Sequence, residues 1–345
     1  MMSALTTFSN ASSDTVPTVS MTMVQAVCDA LGVAMAGDDS VVLIGEDIGK
    51  HGGVFRATDG LQERFGALRV MDAPLSETGI VGTAVGMAVQ GLKPVVEIQF
   101  SDYMFPAFDQ IVSEVATFRY RSGGEFSCPM VIRAPYGGGI KGGMWHSQSP
   151  EGYYTHTPGL TVVIPSTPKE AKGLLLAALA GEDPVLFFEP KRLYRSMTEA
   201  VPTGHYVEPI GPASVVKSGT FASVFCYGAM VPVVRQAVEK LERLYEGVTL
   251  EIVNLRTLYP VDERGILASV EKTGRAVVVH EAPKTCGYGA EISALLAEKA
   301  LGSLEAPVLR VAGWDTPYPY STEAWYAPQA HRVFHALETL VKDSW

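Results

Sequence analysis

Three side chains in the first half of the chain have the types and settings that chemistry needs: Glu77, Tyr103 and His146. Glu77 heads "ETGIVGTAVG", and every residue from Gly79 to Val89 except Thr83 is apolar or glycine. A helix of that composition is expected to be buried nearly all round, with the carboxylate at its mouth. A carboxylate entering an apolar wall is desolvated, and it favours protonation or proton sharing with a ring nitrogen of a ligand. The plainer alternative is that Ser76 or Glu77 caps the helix and complements its dipole.

Tyr103 sits in "FSDYMFPAFDQI", where Phe100, Tyr103, Phe105 and Phe108 bunch around a helix start. Most aromatics there read as core. Tyr103 precedes Pro106, in a loop rather than on a helix face, so its ring is the one free to stack on a flat heteroaromatic ligand. His146 closes "GGGIKGGMWH", whose five glycines let backbone approach a ligand or bend sharply. A lone histidine in a loop is usually a hydrogen-bonded structural residue, yet beside an active site it is the natural proton donor.

The elements that must position these residues alternate along the chain. "MTMVQAVCDALGVAMAGDD" has helical spacing, with Thr22 as cap and Gly37 as stop. Strand "SVVLIGED", the Gly79–Gln90 helix, strand "KPVVEIQF", a long helix "FPAFDQIVSEVATFRYR" and strand "PMVIRAP" follow. After the glycine-rich loop come "TVVIPS", helix "PKEAKGLLLAALAGED" and strand "PVLFFEP". A polar connector (196–213) then leads to a second run: "FASVFCYG", "PVVRQAVEKLERLY", "VTLEIVNLRT", "RAVVVHEAP", "GAEISALLAEKAL" and "PVLRVAG". Alternation of this kind predicts an α/β protein with two parallel-sheet domains, divided near residue 205 into 18–204 and 205–345. Ligands bind such sheets beyond the carboxyl ends of the strands, where the loops carrying Tyr103 and His146 lie.

Composition narrows the partners. The 345 residues carry a formal net charge of −10, which argues against nucleic acid and anionic membrane. Cys28, Cys128, Cys226 and Cys286 are far apart, without zinc-ligand spacing, and read as reduced thiols of a cytoplasmic protein. Residues 1–17, rich in Ser and Thr, read as a mobile tail rather than a signal peptide. No apolar run approaches a membrane span. "CGYGAEI" at 286–292 lacks the third glycine of a dinucleotide fingerprint, so nicotinamide chemistry is not expected.

Taken together, "APLSETGIVG", "EIQFSDYMFPAFDQI", "RYRSGG", "HSQSPEGYY", "DPVLFFEPKRLYR" and "GWDTPYPY" resemble the β chains of thiamine-diphosphate-dependent 2-oxo acid dehydrogenases. The likeness runs from about residue 18 to about 340, and "SDYMFPAFDQI" and "HSQSPE" place it nearest the branched-chain (2-oxoisovalerate) members. It implies a pyrimidine-binding domain followed by a transketolase C-terminal-like domain. It also implies that Glu77 hydrogen-bonds N1′ of the aminopyrimidine, that Tyr103 packs on that ring, and that Leu75 and Gln99 line the pocket. His146 would supply a proton as the acyl group passes to a lipoyl dithiolane. By the same resemblance a potassium ion would rest on backbone carbonyls of Met130, Val131, Ala178, Gly181 and Asp183.

One motif is missing. The chain has no G-D-G, the signature with which this family anchors the diphosphate and Mg²⁺. The resemblance therefore implies half an active site, completed by an α chain in a tetramer of two α and two β. It also implies docking to the lipoyl-bearing acyltransferase core. Two other readings stand beside it: a pyruvate or acetoin dehydrogenase β chain, and a non-catalytic assembly subunit.

Overall fold

Buried parallel strands dominate the computed structural model, which describes residues 17–343; the tail expected over 1–17 lies outside them, apart from Pro17. Eight strands come first: β1 Thr18–Thr22, β2 Val41–Gly45, β3 Val70–Asp72, β4 Lys93–Glu97, β5 Val131–Tyr136, β6 Thr161–Val163, β7 Val185–Pro190 and β8 Thr198–Pro202. β9 Ser214–Lys217, β10 Ala222–Cys226, β11 Leu250–Asn254, β12 Thr257–Tyr259, β13 Ala276–Pro283 and β14 Leu309–Gly313 follow. One sheet runs β12-β6-β7-β5-β4-β2-β3, parallel except at β12. The other runs β14-β13-β10-β11-β9, parallel except at β9. Every residue of β2, β5, β7, β10 and β11 is buried, as expected where helices cover both faces.

Local signals start the helices. Thr22 and Gln25 form a reciprocal capping box at Met23–Gly37. Thr167 caps Pro168–Ala180, whose Pro168 occupies the first turn, where a missing N–H costs nothing.

The alternation holds, with four departures. The connector is not plain linker, because β8 pairs antiparallel with β1. "VTLEIVNLRT" is not one strand: it turns at Arg256, which has φ +39°, so that β11 stays in the second sheet and β12 joins the edge of the first. The stretch 105–121 is not one continuous helix. It contains a π-helical segment Gln110–Val115, and a separate turn follows at Phe118–Arg121. Finally, the helix Glu77–Val89 buries Ile80, Val81, Ala84 and Ala88, while Gly79, Gly82, Thr83 and Gly86 face outward. A Cβ at Gly82 or Gly86 would meet nothing within 4 Å. Helix composition alone could not reveal that the glycine face of this helix has no cover among the described residues.

The two sheets are joined by buried polar contacts as well as apolar ones. Tyr227, after β10, donates its hydroxyl to Glu151 Oε1 at 2.7 Å. Glu151 is fully buried, and desolvation raises its carboxyl to about 8, against the opposing effect of the Tyr227 hydrogen bond. The folded chain therefore holds a proton that the unfolded chain releases in the ordinary carboxyl range. Stability from this group is complete below that range and is lost as pH rises toward 8. Glu151→Gln should flatten the dependence of the thermal midpoint between pH 5 and 8; an unchanged slope would show that the carboxyl is ionised in the fold.

Candidate active site

The site forms where β2, β4 and β5 end. Ser76 caps the helix Glu77–Val89 by accepting from Gly79 N at 3.2 Å. That leaves the Glu77 carboxylate without a capping duty, and it makes no hydrogen bond among the described residues. Thr78 donates its hydroxyl to Pro106 O at 2.7 Å and so ties the start of this helix to the turn that carries Tyr103. Glu77 is half-buried rather than dry, and Leu75 is 79% exposed, so the apolar wall expected around the carboxylate is not built by this chain alone. Gln99 is half-buried at the end of β4 and makes no hydrogen bond among the described residues.

Tyr103 and His146 meet directly. The Tyr103 hydroxyl lies 2.7 Å from His146 Nε2. His146 Nδ1 lies 3.3 Å from Gly142 O, a carbonyl that can only accept, so the Nδ1 carries the proton. In the neutral ring Nε2 is then the acceptor and Tyr103 the donor. Burial, followed by the carboxylates of Asp102, Glu77 and Glu46, raises the Tyr103 phenol above its ordinary range and keeps that donor proton in place. Phe100 packs against both rings, edge-on to His146 at 4.7 Å and to Tyr103 at 5.5 Å.

Two glycines make the histidine loop feasible. A Cβ at Gly142 would sit 2.5 Å from His146 Cβ, and Gly143 has φ +63° with Tyr320 of the second domain against it. Gly138 N donates to Glu281 Oε1 at 2.8 Å, and Gly139 N donates to Glu323. The first glycines thus hold the domains together, and only the later ones shape the site.

Several residues were hidden from sequence reasoning. Glu46, at the end of β2, is raised above the usual carboxyl range by burial and then by the nearby Glu77 and Asp47. Asp102 is buried and raised by desolvation, although the N–H groups of Gln148 and Ser147 and the charge of Lys191 pull it down. Lys191 is buried over the Phe100 ring at 5.5 Å, and desolvation lowers it to about 8 despite Asp102, Glu281 and Glu323. Beneath the loops, Arg133 on β5 bonds Glu97 on β4 at 2.8 Å and both oxygens of Glu189 on β7 at 2.7 and 2.9 Å. Burial works against the guanidinium charge, but Glu189 and Glu97 outweigh it and hold Arg133 charged. The only signal was a single charge inside each of three apolar runs.

The five residues expected to offer carbonyls to potassium lie around the starts of β5 and β7. Val185 N donates to Met130 O at 2.9 Å, Val131 pairs with Val185, and Gly181 N donates to Ala178 O at 3.2 Å. The Asp183 side chain accepts from Arg119 Nε at 2.6 Å.

Comparison with known proteins matches this geometry to a family. The transketolase pyrimidine binding domain matches residues 19–197 and the transketolase C-terminal domain residues 211–333. The chain is 48% identical to the 2-oxoisovalerate dehydrogenase subunit beta of Pseudomonas aeruginosa, over 94% of this chain and 95% of that one. It is 51% identical to the mitochondrial protein of the same name from Dictyostelium discoideum, over 92% and 86%. The chain belongs to the β-subunit family of the 2-oxo acid dehydrogenases. A pyruvate dehydrogenase E1 component subunit beta of Staphylococcus aureus is also 48% identical, over 93% and 98%. A solved structure titled split gene transketolase, inactive beta4 tetramer, shares the fold with a TM-score of 0.75, covering 95% of this chain and 100% of that one at 19% identity. No helix among the described residues is long and apolar enough to cross a membrane.

For this family member the Tyr103–His146 contact makes a direct spectroscopic prediction. Above neutral pH, ¹⁵N resonances of the His146 ring should report the Nδ1–H tautomer, and Tyr103→Phe should let the two tautomers mix. An Nε2–H tautomer in the unsubstituted chain would contradict the assigned hydrogen bonds.

Proposed function

We propose that this chain is the β half of a thiamine-diphosphate-dependent dehydrogenase of branched-chain 2-oxo acids, completed by an α chain in a tetramer of two α and two β. The observation that carries the reading is the uncommitted Glu77 carboxylate beside the Tyr103–His146 pair. That arrangement suits an aminopyrimidine: Glu77 offers a free acceptor for a protonated ring nitrogen, and Tyr103 a ring to pack on it. Leu75 and Gln99 would complete that wall. The diphosphate end finds no such fit. The G-D-G anchor is missing, and among the described residues no three His, Cys, Asp or Glu side chains are placed to hold a metal. We therefore assign the diphosphate and its Mg²⁺ to the α chain, and the division of this chain near residue 205 to the two family domains.

When bound, the cofactor supplies the electron sink for decarboxylation. Glu77 holds and returns a proton at N1′, the exchange that general acid–base catalysis requires. In its imidazolium form His146, held by Gly142 and Tyr103, would deliver its Nε2 proton to the thiolate that forms when the lipoyl dithiolane of the acyltransferase core accepts the acyl group, leaving the neutral Nδ1–H ring. A potassium ion on the carbonyls of Met130, Val131, Ala178, Gly181 and Asp183 would be structural. Met130 O and Ala178 O each accept one N–H and keep a second lone pair for it. The net charge of −10 and the four free thiols suit a cytoplasmic enzyme.

The Staphylococcus relative favours a second reading, in which pyruvate is the substrate. Reconstitution with the cognate α chain decides between them. 3-Methyl-2-oxobutanoate should be used with higher kcat/KM than pyruvate, and the reverse order would establish the pyruvate enzyme. In the same complex Glu77→Gln should lower decarboxylation about 10²–10⁴-fold with assembly intact. Near-normal turnover would remove Glu77 from the mechanism.

A further inference from the structure

We propose that Asp102 is the positioning residue for His146, acting through the backbone that follows it. Asp102 Oδ1 accepts from Ser147 N at 3.1 Å and from Gln148 N at 3.0 Å. Its neighbour Ser101 donates its hydroxyl to Gln148 O at 3.1 Å. The short turn Ser101–Met104 therefore grips residues 147–148 with three hydrogen bonds, while its next residue, Tyr103, holds the His146 ring itself. The backbone on one side of His146 is a glycine-rich turn ending at Gly143–Trp145, and the other side is the segment that Asp102 holds. Without that grip residues 147–148 would keep their ties from Gly137 N to Gln148 O and from Gln148 Nε2 to Met144 O. The imidazole would keep its contacts with Gly142, Tyr103 and Phe100, but the two N–H groups directly after His146 would lose their shared acceptor.

The strength and the charge of the contact suit this task. Hydrogen bonds to an ionised acceptor are roughly twice as strong as neutral ones. Asp102 is 7% exposed, so the bonds are made away from competing water. Burial raises the Asp102 carboxyl, and the Gln148 N–H, the ammonium of Lys191 (itself over the same Phe100 ring that abuts His146) and the Ser147 N–H oppose that rise. Among the described residues Asp102 makes no hydrogen bond to His146 itself; its effect on proton delivery passes through the position of the ring. A displacement of about 1 Å at such a group lowers a rate on the order of 10²-fold.

This inference rests on the proposed role of His146, and the test separates the two. The primary reading is ¹⁵N-histidine NMR of the full chain, with the His146 signal assigned by its loss in His146→Gln. Asp102→Asn keeps an oxygen able to accept both N–H groups and should keep the Nδ1–H tautomer. Asp102→Ala should give mixed tautomers. Ser101→Ala, which removes a parallel tie without touching a charge, should shift the same signal less, and it serves if Asp102→Ala fails to fold. In the reconstituted complex Asp102→Ala should lower lipoyl acylation about 10- to 100-fold, while decarboxylation with an artificial electron acceptor keeps its rate and KM. An unchanged His146 signal in Asp102→Ala, or Asn as disruptive as Ala, would overturn the proposal. Intact lipoyl acylation in His146→Gln would instead overturn the role of His146, while the NMR result still decides on Asp102.

Discussion

The buried ion triad Glu97–Arg133–Glu189 is the constraint on which the site depends. It spans β4, β5 and β7, the three strands that launch the Tyr103 turn, the His146 loop and Lys191. Parallel strands buried on both faces read as continuous apolar runs, so side-chain pattern alone specifies their register weakly. Three charges that must meet at full burial specify it strongly, because removing one partner of a buried pair costs about 3–5 kcal/mol. Tyr194 donates to Glu189 at 2.5 Å, and Phe55 packs on both Tyr194 and Phe100. The triad is thus linked through aromatic contacts to the ring that abuts His146.

Above that base the chain builds one wall of a site and leaves the other open. Glu77, Glu46, Tyr103 and His146 converge at the strand ends, yet Leu75 is exposed and the glycine face of the Glu77–Val89 helix is uncovered. Glycines at Gly82 and Gly86 answer no crowding among the described residues. Their smallness makes sense if another backbone approaches there, as a partner chain closing over Glu77 would. Desolvation of the Glu77 carboxylate would then follow assembly rather than folding.

Much of this was legible in the sequence, and the reasons for the remainder are physical. The alternation of apolar runs gave both sheets, and the residue types and loop positions of Glu77, Tyr103 and His146 singled them out. What stayed hidden depends on contacts distant along the chain. β12 leaves its own sheet because the first sheet has an open edge at β6, which no local pattern records. Asp102 lay beside Tyr103 in plain view, but its role needs the N–H groups of residues 147–148. The Glu77 helix looked buried because composition cannot distinguish an apolar surface that its own chain covers from one that it leaves exposed.

The proposed division of the site between two chains is tested most directly by calorimetry. Stacking and one hydrogen bond contribute only a few kcal/mol, roughly, whereas charge-assisted contacts to the diphosphate carry the remainder. Thiamine diphosphate titrated into this chain alone, at Mg²⁺ concentrations that saturate the assembled enzyme, should give no measurable binding, and adding the α chain should restore binding and activity together. Tight, Mg²⁺-dependent binding to the isolated chain would contradict the half-site and reveal a diphosphate anchor within these 345 residues.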